Sequence, residues 1–309
     1  MKLATYRDGS RDGQLVVVSR DLRHACYATD TATRMQQVLD DWNFISPQLQ
    51  DIYIQLNQGR APHSFAFDPK RCMAPLPRPA QWLEANAFAQ TGAGVAQIFQ
   101  HAGDQLWGAH DAAELPASAI DMDMGAGWAA ICSDVPLEAT PERALESVRL
   151  LMLVNVVSLR ALESLAPALS RPFTACSPVA VTLDEVGEAW QEGRLGVTLQ
   201  AYVNTRRVAW CDGVSMGRGL HEVIAAVSRV RTLCAGSVVG SGVLASADAS
   251  LGFGSMALRR AYERQTLGEA QTPWLEWGDC VRVEAKARDG SSLFGSIDHS
   301  YIHAGTGED

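Results

Sequence analysis

Short apolar runs, alternating or continuous, dominate the chain. "KLATY" and "QLVVVS" flank the polar stretch "RDGSRDG", a pattern that predicts two strands joined by a tight turn. Two segments with apolar residues at helical spacing follow, around "TRMQQVLDDW" and "SPQLQDIYIQL". This opening portion predicts a small α+β unit. The stretch "CMAPLPRPAQW" then places three prolines within five residues. Proline fixes φ and lacks an N–H, so an extended connection is expected there, dividing the chain into residues 1–74 and 75–309. Beyond it, "GWAAICSDV", "SPVAVT", "GVTLQAYVN", "SVVGSGV", "CVRVEAKA" and "SLFGSID" carry strand patterns. Helical spacing recurs in "TPERALESVRLLMLVN", "DEVGEAWQEG", "LHEVIAAVSRV" and "ALRRAYERQTLGEA". Thr140, Pro141 and Glu142 supply a cap and first turn, and Asp289-Gly290 marks a hairpin tip. Strands without strict strand–helix alternation predict an α+β protein that is mainly β, with a mixed, barrel-like sheet and peripheral helices.

Within this pattern "IDMDMGAGWAAICSDVP" stands out. In a straight strand Asp121, Asp123, Gly125 and Gly127 share one face. Glycine inside a strand leaves a gap that marks a bend or a close approach. Composition narrows the function classes. Of the 309 residues 47% are hydrophobic and 20% charged, the balance of an ordinary globular protein. A net charge of -9, with basic residues scattered, argues against a nucleic-acid partner. No apolar run approaches the roughly 18 residues of a membrane span, and "MKLATYRDGSRDG" is too polar for a signal peptide, so a cytoplasmic protein without a membrane partner is expected. The seven cysteines include no C-x-x-C pair and read as reduced thiols. The histidines at 24, 63, 101, 110, 221, 299 and 303 show no ligand-like spacing.

The segments "LLMLVNVVSLRALE", "FTACSPVAVTLDEVGEAW", "VVGSGV", "GEAQTPWLEWGDCVRVEAKARDGSSLFGSID" and "IDMDMGAGWAAICSDVP" occur in the order and at about the spacing of the fumarylacetoacetate hydrolase family. The chain resembles that family from about residue 75 to about residue 300. The resemblance implies a mixed β-roll core, a small amino-terminal domain and a homodimer. Members of the family hydrolyse, decarboxylate, hydrate or tautomerise small keto acids, using a divalent cation held by three carboxylates. Counting back from Asp134-Val135-Pro136, the first two acids of the family pattern are represented by Gly125 and Gly127. The third, which follows an Asn, is represented by Val156 after Asn155. A lysine is represented by Arg171, a hydroxyl residue after "GSG" by Val243, and a histidine near "WLEANAFAQT" by Thr91.

A glycine or valine side chain offers no oxygen to a hard cation. The resemblance thus implies a family member with no metal site and no cofactor, whose substrate pocket comprises Gly125, Gly127, Asn155, Val156, Arg171, Ser177, Ser241, Val243 and Thr91. Small residues at the old ligand positions suggest a wider, less polar cavity, and restoring acids at 125, 127 and 156 is expected to recreate a cation site. The catalytic groups are not identified; Arg171, His101, His110 and Asp123 are the candidates. Arg171 can bind an anion or form a structural ion pair, and Asp123 can serve as a displaced acid or as a turn or cap residue facing solvent or a basic partner. Cys176 qualifies as a nucleophile only with a lowered pKa. Two functions stay open. One is a metal-independent hydrolase, lyase or isomerase acting on a bulky keto, enol or aromatic carbonyl compound. The other is an inactive paralogue that binds a small molecule or pairs with a partner subunit. Convergent polar groups in the pocket favour the first, and a collapsed pocket the second.

Overall fold

The computed structural model of the chain describes residues 1–88, 97–246, 248–287 and 289–305. Strands β1 (Lys2–Tyr6) and β2 (Gln14–Val18) form the predicted hairpin, and β3 (His24–Tyr27) extends it. Helices α1 (Met35–Asp40) and α2 (Trp42–Asn57) follow, burying Met35, Leu39, Ile45, Leu49 and Tyr53 at helical spacing. β4 (Phe65–Ala66) pairs with β3. Residues 73–80, the proline-rich stretch, form neither helix nor strand. Next come β5 (Gln81–Ala85), β6 (Ile98–His101), β7 (Ala113–Leu115), β8 (Met122–Asp123) and β9 (Ala126–Cys132).

Helix α3 (Pro141–Ser147) starts as expected, with Thr140 Oγ1 accepting from Arg143 N. It ends far sooner than the pattern predicts. Val148 begins the twelve-residue strand β10 (Val148–Leu159), buried over nearly its whole length. A continuous apolar run suits a central strand covered on both faces, and length alone does not separate that from a buried helix. β11 (Phe173–Cys176) and β12 (Ala180–Thr182) follow. The helix expected at "DEVGEAWQEG" shrinks to the four-residue α4 (Leu183–Val186), because Gly187 takes φ 58°. Then come β13 (Trp190–Gln191), β14 (Arg194–Leu195), β15 (Thr198–Val203), β16 (Arg206–Asp212), α5 (Leu220–Ser228), β17 (Ser237–Gly240), α6 (Met256–Leu267), β18 (Cys280–Lys286) and β19 (Ser292–His303).

The fold is α+β, with sheets that do not close into a barrel. The larger sheet runs β4-β3-β2-β1-β12-β10-β9-β17-β5-β6, with β8 and β11 also paired to β10. A five-stranded sheet runs β16-β15-β18-β19-β7. β1 pairs antiparallel with β12, so the amino-terminal strands and the later ones form one continuous sheet. Alternation along β9 sends Trp128 and Ala130 into a core shared with Leu199, Val283 and Phe294, and Ala129 and Ile131 into a second core with Trp82, Met152, Val154 and helices α1 and α2. Trp82 Nε1 donates to Thr174 Oγ1 at 3.2 Å, which ties β5 to β11 across the curled sheet. Among the described residues no helix is long and apolar enough to cross a membrane.

Candidate functional site

Register decides which side chains meet. Across β8, β9 and β10, Asp123 lies opposite Ser158 and Gly127 opposite Val154. Asp123, Gly125 and Gly127 therefore share one face, as alternation predicts, while Asp121 departs from the strand at φ 53°. Val156 N donates to Gly125 O at 2.9 Å, and Gly125 N donates to Asn155 Oδ1 at 3.0 Å. The structure thus brings together Gly125, Gly127, Asn155, Val156, Ser241 and Val243. Thr91 lies outside the described residues.

This floor is closed, contrary to the wider cavity expected from its small residues. A Cβ on Gly127 would stand 2.4 Å from Gly242 O and 3.1 Å from Ser241 Oγ. A Cβ on Gly125 would meet Val156 O at 2.9 Å and Val243 Cγ2 at 3.4 Å. Main chain occupies the space where side chains would begin. Ser241 Oγ donates to Gly242 O and accepts from Trp128 N, and Ser177 Oγ donates to Val179 O and accepts from Leu153 N, so both hydroxyls brace backbone. Divalent cations take oxygen, nitrogen or sulfur donors, and Gly125, Gly127 and Val156 present none from their side chains. Among the described residues no three His, Cys, Asp or Glu groups gather in a way that could hold a metal ion.

Asp123 is wholly buried, and four donors reach its carboxylate. Met124 N and Met256 N donate to Oδ1, and Ala257 N and Arg160 Nε to Oδ2. It caps the first turn of α6 and neutralises Arg160. Burial pushes its carboxyl above the ordinary range, opposed by Arg160 and by the N–H groups of Met256 and Ala257. The expected cap role and basic partner are present, in the interior instead of at the surface.

From Arg160 a chain of alternating charges runs to the other end of the sheet. Arg160 pairs with Glu163, Glu163 lies 3.4 Å from Arg171 NH2, and Arg171 Nε lies 3.9 Å from Glu84 Oε2. Glu84 Oε2 in turn lies 3.2 Å from His101 Nε2. The Glu84 and His101 side chains are 6% and 4% exposed, and that of Arg171 15%. Glu84 lies opposite Gly240, and Gly240 opposite Ala129, so Glu84 projects on the same face as Gly127 from two strands, about 10 Å, away. The sequence reading found Arg171 and His101 but missed Glu84. Its signal was an acid two residues after Trp82, in a run otherwise patterned for burial.

The other face holds a second polar group. Asn155 Nδ2 donates to Nε2 of the buried His299 at 2.8 Å, and burial pulls that imidazole down to about 4. His110, half-buried, adds its charge to the same effect. His299 is therefore neutral in the folded protein until about pH 4, whereas an unfolded histidine protonates near 6.5. Between these values the unfolded state binds more protons. Stability from this group is complete above about pH 6.5 and declines by about 3 kcal/mol as the pH falls through 4. Urea unfolding at pH 7 and pH 4.5 should show a smaller acid loss in His299→Gln than in the parent; equal losses would contradict it. Cys176 is fully buried, and burial drives its thiol far above the usual range, which leaves no thiolate for nucleophilic attack.

Residues 1–78 match the family model described as fumarylacetoacetase N-terminal domain 2, and residues 79–299 match that described as fumarylacetoacetate (FAA) hydrolase C-terminal. No curated protein sequence matches the chain. Among solved structures, fumarylacetoacetate hydrolase from Exiguobacterium antarcticum is 20% identical with a TM-score of 0.71, covering 98% of this chain and 99% of that one. Maleylpyruvate hydrolase from Sphingobium sp. SYK-6, in complex with manganese (II) ion and pyruvate, is 17% identical with a TM-score of 0.69 over 98% and 99%. The 5-carboxymethyl-2-hydroxymuconate delta-isomerase from Mycobacterium smegmatis is 17% identical with a TM-score of 0.58 over 78% and 83%. At these identities the likeness is one of fold.

Proposed function

Because the chain belongs to the fumarylacetoacetate hydrolase family, we propose that it is a metal-independent member acting on a small keto or enol compound. The observation that carries this reading is the closed floor, where Gly242 O stands 2.4 Å from the point at which a Gly127 side chain would start. Missing donors alone would leave room for a cation with borrowed ligands; main chain in their place supports a site that works without one. The closed floor also removes the reason to expect a bulky substrate. What polarity the face retains lies at Arg171, Glu84 and His101.

Titration with magnesium or manganese is expected to give no saturable heat. Any turnover of acylpyruvates should be unchanged by EDTA. A cation-dependent rate lost with EDTA would overturn the proposal. The second reading, a non-catalytic binding or partner subunit, is favoured by the same closure. It predicts no turnover of keto or enol acids under any condition, together with retained binding of a small molecule or of a homologous chain.

A further inference from the structure

We propose that the cavity between the β15–β16 hairpin and α6 is a binding site for a small planar aromatic anion, whose charge is held by Arg206 and Arg207 and whose ring rests against tryptophan. The cavity has a volume of about 860 Å³, and none of Gly125, Gly127, Val156, Arg171 or Val243 lines it. It is thus separate from the closed floor, and the proposal does not depend on what that floor does. One wall is the outer edge of β16, the last strand of the five-stranded sheet. The opposite wall is the first two turns of α6 and residues 271–276. Phe253 N donates to Val208 O at 3.1 Å and ties the two walls together. Sites for small molecules enclose roughly 300–1,000 Å³, so the space suits a ligand of one to a few rings.

Three arginines and three acids line the cavity, and their formal charges cancel. Their hydrogen bonds do not. The buried Glu263 accepts from Arg259 Nε, Gln271 N, Thr272 N and Thr272 Oγ1, so it is satisfied within its own wall and holds Arg259. Asp279 accepts from Asn204 Nδ2 at Oδ1 and from Glu276 N at Oδ2. The side chains of Arg206 and Arg207 have no hydrogen bond or ion pair with any described residue, and of the acids only Glu276 shares that condition. What the cavity offers an incoming molecule is therefore two guanidinium forks against one free carboxylate. A fork of parallel N–H groups matches a carboxylate or a phosphate.

The aromatic rings supply the rest of the selectivity. Arg207 Cζ lies 4.3 Å from the Trp210 ring centroid. A guanidinium resting face-on against an indole keeps its N–H groups in the plane, directed away from the ring and free to bind. Trp210 is itself 40% exposed, an unusual state for the largest side chain, and it lines the cavity from β16. Trp274 and Phe253 line it from the other side, and Arg260, outside the cavity, lies 4.4 Å from the Trp274 ring centroid. An aliphatic anion would leave the indole surfaces wet, and a neutral aromatic molecule would leave the forks unpaired. A flat ring carrying an acid satisfies both.

The test is calorimetric titration of the full chain with 2-naphthoate and with adenosine 5′-monophosphate, which carry a carboxylate and a phosphate on flat aromatic systems. At least one of the two should give a saturable event, and which one does so identifies the acid group. Cyclohexanecarboxylate and adenosine, lacking the aromatic ring and the charge respectively, should bind at least about tenfold more weakly. Arg206→Gln with Arg207→Gln should weaken binding by about tenfold or more without lowering the thermal unfolding midpoint, since neither side chain has a described ion-pair partner to lose. Trp210→Leu should weaken it too, whereas Arg143→Gln, on the exposed surface of α3, should not. Equal binding of the two controls, or binding unchanged in the double arginine variant, would overturn the proposal. So would no binding by either probe; if Trp210→Leu then converted a dimer to a monomer in sedimentation, the cavity would belong to a second copy of the chain.

Discussion

Gly125→Glu, Gly127→Glu and Val156→Asp, introduced together, are expected to unfold the protein instead of restoring a cation site. The family resemblance alone suggested the reverse, since the flanking segments match. The reason lies in atoms that no alignment shows. A Cβ at 127 would fall 2.4 Å from Gly242 O, which accepts from Ser241 Oγ, and one at 125 would fall 2.9 Å from the main-chain Val156 O, in a residue whose N donates to Gly125 O. Overpacking of this kind costs about 1–3 kcal/mol per site, and the buried carboxylates would repel one another. Against a total stability of about 5–15 kcal/mol, that is enough to lose the fold. Calorimetric unfolding of Gly127→Ala, Gly127→Glu and the triple variant should show successively lower midpoints and then no transition. A folded triple variant that binds manganese tightly would refute the expectation.

The second large effect is expected at Asp123. Its removal leaves the partly buried Arg160 with Glu163 alone of its two acids, and uncaps Met256 N and Ala257 N at the start of α6. Breaking such a buried pair costs about 3–5 kcal/mol. Asp123→Ala should therefore be much less stable to urea, with hydrogen exchange fastest in the first turn of α6. Asp123→Asn, which keeps one acceptor but turns an amide toward N–H donors, should recover only part of the loss. A change below about 1 kcal/mol in the alanine variant would show the carboxylate to be incidental.

The sequence carried the local parts of the fold well. "KLATY" and "QLVVVS" are β1 and β2, Asp289-Gly290 turns β18 into β19, and "ALRRAYERQTLGEA" overlaps α6. What it blurs is "VRLLMLVNVVSL": a run buried on both faces has no period, so the pattern extends α3 into what is β10. Alternation correctly put Asp123, Gly125 and Gly127 on one face. It could not show that Asp123 meets the backbone of residues 256 and 257, because that contact spans more than a hundred positions. The glycines suggest a vacancy, although a residue without a side chain is equally the mark of a neighbour pressing close. Glu84 stayed hidden because β5 was not foreseen, and without a strand no face can be assigned.

The β1–β12 ladder has a consequence for cooperativity. The proline-rich stretch looks like a boundary between two modules, and the two family segments meet there. Yet without β1 the edge of β12 would be open along Ala180 and Val181, and without α1 and α2 the core they share with β9 and β10 would lose part of its wall. An open edge beside bare apolar surface invites association with other chains. The amino-terminal segment therefore shields an edge and part of the apolar core of the rest of the sheet, so the seam in the sequence is crossed by a sheet and a core.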